Sequence, residues 1–430
     1  MENGTAAVPR LAGLCAEAPP APLPLTSPAL RFFWSHPDAA IRVVALGEAS
    51  RCEAAAEGLR NLLTALSRPD GVSWLDGAVD GRPRPPGLWF GAIAFDPSRP
   101  VWPGFSPVRF AVPEVIVWEH GGRQFVAVLA PEGGATRAGL QSRLDHVRRA
   151  LDDEAAAPSA EAETCPRAVP YQNGRAHWAS LVDRALERIH AGELSKVVVA
   201  RSIDVEALPR SATVLGRLER AYPSCRTFYL RGDAGAAFLG ATPENFCSID
   251  GSRLRTEALA GSARPGDADA LLASAKDLRE HQWVVDHIVS ALRGIADEVQ
   301  AAPAAVVREL ATVAHLQTPI SARLRSGIGV ADVVAALHPT PAVGGVPAAA
   351  AARFLGEHER LDRGLYAGLV GFIGPGRAEL AVALRCALVE HGIARLFLGA
   401  GIVDGSSAES EWVETQLKAR ALLDALEGAA

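Results

Sequence analysis

The sequence predicts an α+β fold organised around a large antiparallel sheet. Three observations lead there. The chain has 430 residues, 49% of them hydrophobic, which is ample for a large core. Its apolar runs are short and joined by turn residues: Gly121-Gly122, Asp250-Gly251, "GPGR" at 374–377 and "EHG" at 390–392. Strands and helices do not alternate in a sustained βαβ order, so a doubly wound parallel sheet is not indicated.

Taken in chain order, residues 16–29 are Pro-rich and read as irregular. "IRVVAL" (41–46) reads as a strand, "ASRCEAAAEGLRNLLTALS" (49–67) as a helix and "GLWFGAIAF" (87–95) as a strand. "EVIVWEHGGRQFVAVLA" (114–130) is a hairpin signal. The acidic, Ala/Pro-rich stretch 151–170 is the best linker candidate. A helix then runs to Gly192, placed as a C-cap, and "SKVVVARSIDV" (195–205) is a strand. "NFCSIDGSRLRTEAL" (245–259) is a hairpin. Residues 269–299 read as one long helical stretch, with Leu278, Val285, Ile288, Val289 and Leu292 on one face. "GLYAGLVGFI", "AELAVALRCALV" and "ARLFLGAGIV" (364–403) read as a three-stranded meander leading into a last helix. Residues 1–165 are expected to form an N-terminal subregion, with a Pro-rich start, of the same large fold that contains a core at 170–425.

Charge excludes some partners. A formal net charge of −6 with no basic stripe gives no support for nucleic-acid binding. The six cysteines, at 15, 52, 165, 225, 247 and 386, form no CxxC and read as free buried thiols in a reducing compartment. The first residues resemble neither a signal peptide nor a membrane span, so a soluble cytoplasmic protein is expected.

The charged residues carry the chemistry. In the last helix Glu411, Glu414 and Lys418 fall within an arc of about 60°, whereas Glu409 lies outside it. Alone, that arc is an ordinary solvated face. Asp277 and Glu280 form a second pair, three residues apart on another helix. Two such pairs facing one another would repel unless a cation joined them, and an all-oxygen donor set suits Mg²⁺. Lys196 opens an apolar strand, sharing a face with 198 and 200. It is either a solvated strand-end residue or a buried amine whose lowered pKa makes it a general base. Glu244 follows Pro243 at a strand entrance, where a turn glutamate is solvated unless a cleft faces it.

"KVVVAR", "GATPENF", "TEALAGSARPG", "KDLREHQWVV", "LHPTPAVGGVP", "RGLYAGLVGF", "LRCALV" and "LGAGIV…ESEWVETQLKA" occur in this order from 196 to 419. Together they resemble the chorismate-utilising enzymes of menaquinone, siderophore and tryptophan biosynthesis, and "GAIAFDP" (91–97) resembles isochorismate synthases. The resemblance implies helices around a large antiparallel β-sandwich, an active site in a cleft, and a monomer. It implies Lys196 as the base that activates water for attack at C2 of chorismate, and Glu244 as the acid for the departing C4 hydroxyl. It implies Glu280 and Glu414 as Mg²⁺ ligands, with Asp277 and Glu411 acting mainly through waters. Tyr366, Arg385, Lys418 and the backbone amides of Gly399, Ala400 and Gly401 would hold the enolpyruvyl carboxylate. Gly261, Ser262 and His338 would line the ring site.

Within that family, amine-transferring members carry Gln where this chain has Lys196, so lysine points to water as nucleophile. Ala260 stands where aminodeoxychorismate synthases often place a lysine, and Ala342-Val343 differ from the Thr-containing version of salicylate synthases. Isomerisation to isochorismate is therefore expected. The alternatives are salicylate synthase, which goes on to release pyruvate, and a non-catalytic chorismate-binding protein, or a merely structural metal. His287, Trp283 and His315 read as packing or hydrogen-bonding residues rather than catalysts.

Overall fold

The computed structural model describes residues 8–37, 40–68, 71–76, 83–156, 174–206 and 210–427. Most of the expected linker 151–170, and Cys165, lie outside them. The other five cysteines are buried.

Two large sheets form the molecule. One has twelve strands and the other ten among the described residues. The first begins Gly345–Val346, Lys196–Glu206, Ile393–Ile402, Cys386–Glu390, Ala237–Thr242 and Arg226–Arg231, and continues into the N-terminal strands Leu30–His36 and Ile41–Leu46. The second places Ala314–Leu324, Arg253–Ala263, Asn245–Asp250, Arg377–Val382 and Leu369–Gly374 beside Trp89–Ile93. Both sheets thus mix strands from the two halves of the chain. The pairings that build the site are antiparallel, while Leu11–Ala18 pairs in parallel with Val72–Trp74.

Strand alternation sets the layers. In "LRFFWSH", Phe32 and Trp34 point between the sheets, where Phe32 meets Phe90 at 5.2 Å and Trp34 meets Phe372 at 6.0 Å between ring centroids. Phe33 points the other way, into a second core with Val214, Leu215, Leu218 and Leu422 of the covering helices. The predicted β-sandwich with surrounding helices is what these residues make. Among the described residues no helix is long and apolar enough to cross a membrane.

Four local expectations need correction. Residues 16–18 end the strand Leu11–Ala18 rather than joining an irregular segment. The stretch 49–67 is a strand, Ser50–Ala54, a short turn of helix, and only then a helix, Leu59–Leu66; Cys52 points in while Arg51 and Glu53 point out, which is period two. The stretch 269–299 breaks at Ser274, whose Oγ accepts the Asp277 N–H and starts a new helix, Ala275–Arg293. Past Gly294 the chain becomes the strand Ala296–Ala301, and Leu278 is 38% exposed, off the buried face. Finally, the meander is two hairpins in different sheets. Arg377–Val382 belongs to the second sheet and Cys386–Glu390 to the first, so the chain crosses between them at residues 383–385. Arg385 takes φ +47° to make that crossing, a left-handed conformation with a steric penalty on the order of 1 kcal/mol.

Candidate active site

The crossing brings one cavity into being. It is lined by Lys196 from its strand, Glu244 from the link between the first sheet and the second, Gly261–Ser262 from the second sheet, Tyr366 just before the strand Leu369–Gly374, and Arg385 at the sheet switch. Gly399 and Gly401 close it from the strand Ile393–Ile402, and two helices supply Asp277, Glu280, Glu411, Glu414 and Lys418. Alternation explains the lysine strand. Val197 and Val199 pack outward beneath helices Arg175–His190 and Ala348–His358, which leaves Lys196 and Val198 facing the cavity. Lys196 is 1% exposed, and its Nζ lies 2.8 Å from Glu280 Oε1.

The neighbouring strand must be bare for these groups to meet. A Cβ on Gly401 would lie 2.6 Å from Glu280 Oε1 and 3.1 Å from Lys196 Cε. One on Gly399 would lie 2.5 Å from the Tyr366 hydroxyl. Ala400, between them, turns its methyl into the outer core. Lys418 Nζ donates to the Gly399 carbonyl at 3.1 Å, which ties the last helix, Ala408–Glu427, to this strand.

The two acidic pairs do face one another. Serines start both helices: Ser274 Oγ accepts from Asp277 N–H and Ser407 Oγ from Ser410 N–H, both at 3.2 Å. This sets Asp277 with Glu280, and Glu411 with Glu414, one turn in from each cap. Each carboxylate has a partner. Glu280 meets Lys196, Asp277 meets Ser274, Glu411 Oε1 lies 3.5 Å from Lys276 Nζ, and Glu414 pairs with Lys418. Among the described residues, no three metal-ligating side chains converge tightly enough to close a site. The repulsion still shows. Burial, with the Glu414 carboxylate next, pushes Glu411 up to about 7. Burial raises Asp277 too, with Glu280 and Glu414 adding to it against the Ser274 hydrogen bond. Burial would raise Glu414, but Lys418 outweighs it and holds that carboxyl below its usual value.

Glu244 is 4% exposed, and burial, with the Glu257 carboxylate next, pushes it up to about 8. It therefore carries its proton at neutral pH. Arg385 marks the other end of the cavity. Its Nη2 donates to His315 Nε2 at 2.9 Å, so that nitrogen bears no hydrogen; Nδ1–H donates to the Gly261 carbonyl at 3.0 Å. Burial and Arg385 lower His315 to about 3, which keeps this neutral tautomer. Burial pushes the Tyr366 phenol up.

Of the residues to which the resemblance assigns a role, all but His338 and Ala400 line this one cavity. His338 does not reach it. Helix Val330–Leu337 ends just before it, and its ring turns to donate Nε2–H to the Ala94 carbonyl at 3.2 Å, beside a different cavity lined by Phe95 and Leu355. His315, expected only to pack or hydrogen-bond, lines the cavity and braces Arg385. Lys276 was missed as well. Its signal was its position beside Asp277, on the face that carries the acidic pair.

Comparison with known proteins agrees with this geometry. The family model "Chorismate binding enzyme" matches residues 25–427. A salicylate biosynthesis isochorismate synthase from Pseudomonas aeruginosa is 36% identical over 372 residues, covering 82% of this chain and 76% of that protein. Isochorismate synthase MenF from Bacillus subtilis is 29% identical over 439 residues, covering 93% and 88%. The solved structure of MenF, the menaquinone-specific isochorismate synthase of Escherichia coli, superposes with a TM-score of 0.78 at 27% identity, covering 97% of this chain and 95% of that one. The fold is shared more widely still, with anthranilate synthase component I from Streptococcus pneumoniae at a TM-score of 0.75 and 20% identity, covering 89% and 92%. With its sandwich, its sheet-crossing cavity and a family match over nearly its whole length, the chain belongs to the chorismate-binding enzymes.

Proposed function

We propose that the chain is an isochorismate synthase: it adds water at C2 of chorismate and expels the C4 hydroxyl as water, so that the atoms balance. One observation carries this reading. A buried lysine and a proton-bearing buried glutamate line the same cavity. An allylic displacement of hydroxide needs a base for the incoming water and an acid for the leaving group. Lys196 takes the proton from the attacking water once its Nζ is released from Glu280. Glu244 delivers its proton to the C4 oxygen. Arg385, braced by His315, together with Tyr366, Lys418 and the backbone at 399–401, holds the enolpyruvyl carboxylate and fixes the ring between acid and base.

Charge matching supports a divalent cation. In the resting cavity, with Glu244 protonated, Glu411 ionised and Lys196 still paired to Glu280 before it is freed to act as a base, Lys196, Lys276, Lys418 and Arg385 stand against Asp277, Glu280, Glu411 and Glu414. A dianionic substrate then leaves two uncompensated charges. The donors offered are hard carboxylate oxygens, and His315 is committed to Arg385, so the set fits Mg²⁺. Glu280 and Glu414 would hold it, with Asp277 and Glu411 through waters. When bound, it would neutralise the ring carboxylate. As part of the same reading the enzyme works as a monomer in the cytoplasm.

The test is to incubate the purified protein with chorismate and Mg²⁺ and resolve the products by chromatography. Isochorismate without salicylate is expected. Salicylate with stoichiometric pyruvate would replace this reading with salicylate synthase, and unconverted chorismate would leave only a binding protein.

A further inference from the structure

The strand entrance that carries Glu244 is gripped on every side. Its own N–H donates to Thr242 Oγ1 at 3.2 Å, and its carbonyl accepts from Val382 N–H at 3.1 Å. The peptides before and after it are held by two charged side chains outside the cavity. Arg308 Nη1 donates to the Pro243 carbonyl at 2.8 Å, and its other amine donates to the Ser224 carbonyl. Glu257 Oε1 accepts the Asn245 N–H at 2.8 Å and faces Arg308 Nη1 at 3.4 Å, while Gln317 donates to Oε2. Both charged side chains are largely shielded from solvent, at 15% and 10% exposure. A surface ion pair of this kind would be nearly neutral in energy. Here it is spent on the backbone flanking one carboxyl.

We propose that Glu257, with Arg308, is a positioning unit for the reaction: it locks the Pro243-Glu244-Asn245 peptides so that the Glu244 carboxyl meets the leaving oxygen, and it sets a negative charge behind that carboxyl. This rests on the reading of Glu244 as the general acid. Glu257 does not line the cavity and touches no reacting atom. Its role is carried through the peptide and through space. Four groups act on the Glu244 carboxyl: Glu257 from strand Arg253–Ala263, Lys196 from the lysine strand, Arg385 from the sheet switch and Lys418 from the last helix. Glu257 is the one among them that favours the protonated acid; the three cations oppose it.

Glu257→Gln tests this, because it keeps the volume and an acceptor for Asn245 N–H but removes the charge. The expected result is a fall in kcat of about 10- to 100-fold with KM for chorismate changed less than about threefold. The alkaline limb of the kcat profile should also move to lower pH. Arg308→Lys keeps the charge but loses the two-pronged grip. It should lower kcat comparably without moving that limb, and it decides the matter if Glu257→Gln does not fold. A role in stability alone would lower the melting temperature of both variants and leave kcat per folded molecule and the limb in place, which overturns the proposal. Glu244→Gln run alongside separates the two claims. If it abolishes turnover while Glu257→Gln and Arg308→Lys behave as wild type, only the positioning unit falls; if Glu244→Gln turns over normally, the acid assignment falls and this inference with it.

Discussion

Replacing Glu244 with Gln should slow the enzyme and make the protein more stable. Gln is close in shape to a protonated Glu but has no proton to give and no charge to bury. Removal of a general acid lowers kcat by roughly 10²- to 10⁴-fold. The stability effect follows from the carboxyl's displacement from the usual 4.5 to about 8, caused first by burial. The folded state holds this proton more tightly than the unfolded state. Its stabilising contribution is therefore complete below pH 4.5 and is lost as pH rises towards 8. At about 1.4 kcal/mol per pH decade, the wild type has lost about 3 kcal/mol of it at pH 7, an upper limit because water reaching the ionised carboxylate relieves part of the strain. Gln has nothing to lose. Denaturant unfolding of both proteins at pH 5, 6, 7 and 8 should show a variant advantage that is below about 1 kcal/mol at pH 5 and widens with pH. Wild-type kcat/KM should fall as pH rises through about 8, where the acid loses its proton. A pH-independent stability difference, or a Gln variant with wild-type kcat, would refute both the buried proton and its use.

Other consequences follow from the same cavity. Lys196→Gln should lower kcat by roughly 10²- to 10⁴-fold while chorismate still binds within about threefold of wild type, as read by calorimetry. Chelation should abolish turnover and Mg²⁺ restore it, and Glu414→Gln should raise the half-saturating Mg²⁺ concentration by about tenfold or more. Gly401→Ala places a methyl 2.6 Å from Glu280 Oε1, so turnover should drop by about tenfold or more for a stability change of about 1–3 kcal/mol, measured by steady-state kinetics and thermal unfolding.

The sequence was informative where periodicity and caps are local. The alternation of "KVVVAR" put Lys196 on the opposite face from Val197 and Val199, and the structure keeps it so. The arc of Glu411, Glu414 and Lys418 also survived, because one helix carries all three. Long-range features were harder to read. Residues 383–385, "ALR", contain no turn residue, yet the chain changes sheet there and aims Arg385 into the cavity. Two histidines looked alike as letters; strand Ala314–Leu324 delivers His315 to Arg385, and the end of a helix turns His338 away to Ala94. The break at Ser274 was signalled by its capping chemistry with Asp277, but continuous helical propensity on both sides concealed it. Glu257 and Arg308 are far apart in sequence, and only the pairing of three strands makes them neighbours.

The central claim is that this cavity delivers a new oxygen to C2 and releases the old one from C4. Turnover in ¹⁸O-enriched water, with the product fragmented by mass spectrometry, measures that directly. The account predicts one ¹⁸O in isochorismate, located at the C2 hydroxyl. Unlabelled isochorismate would show that the C4 oxygen migrated instead, and would leave Lys196 without a water to activate.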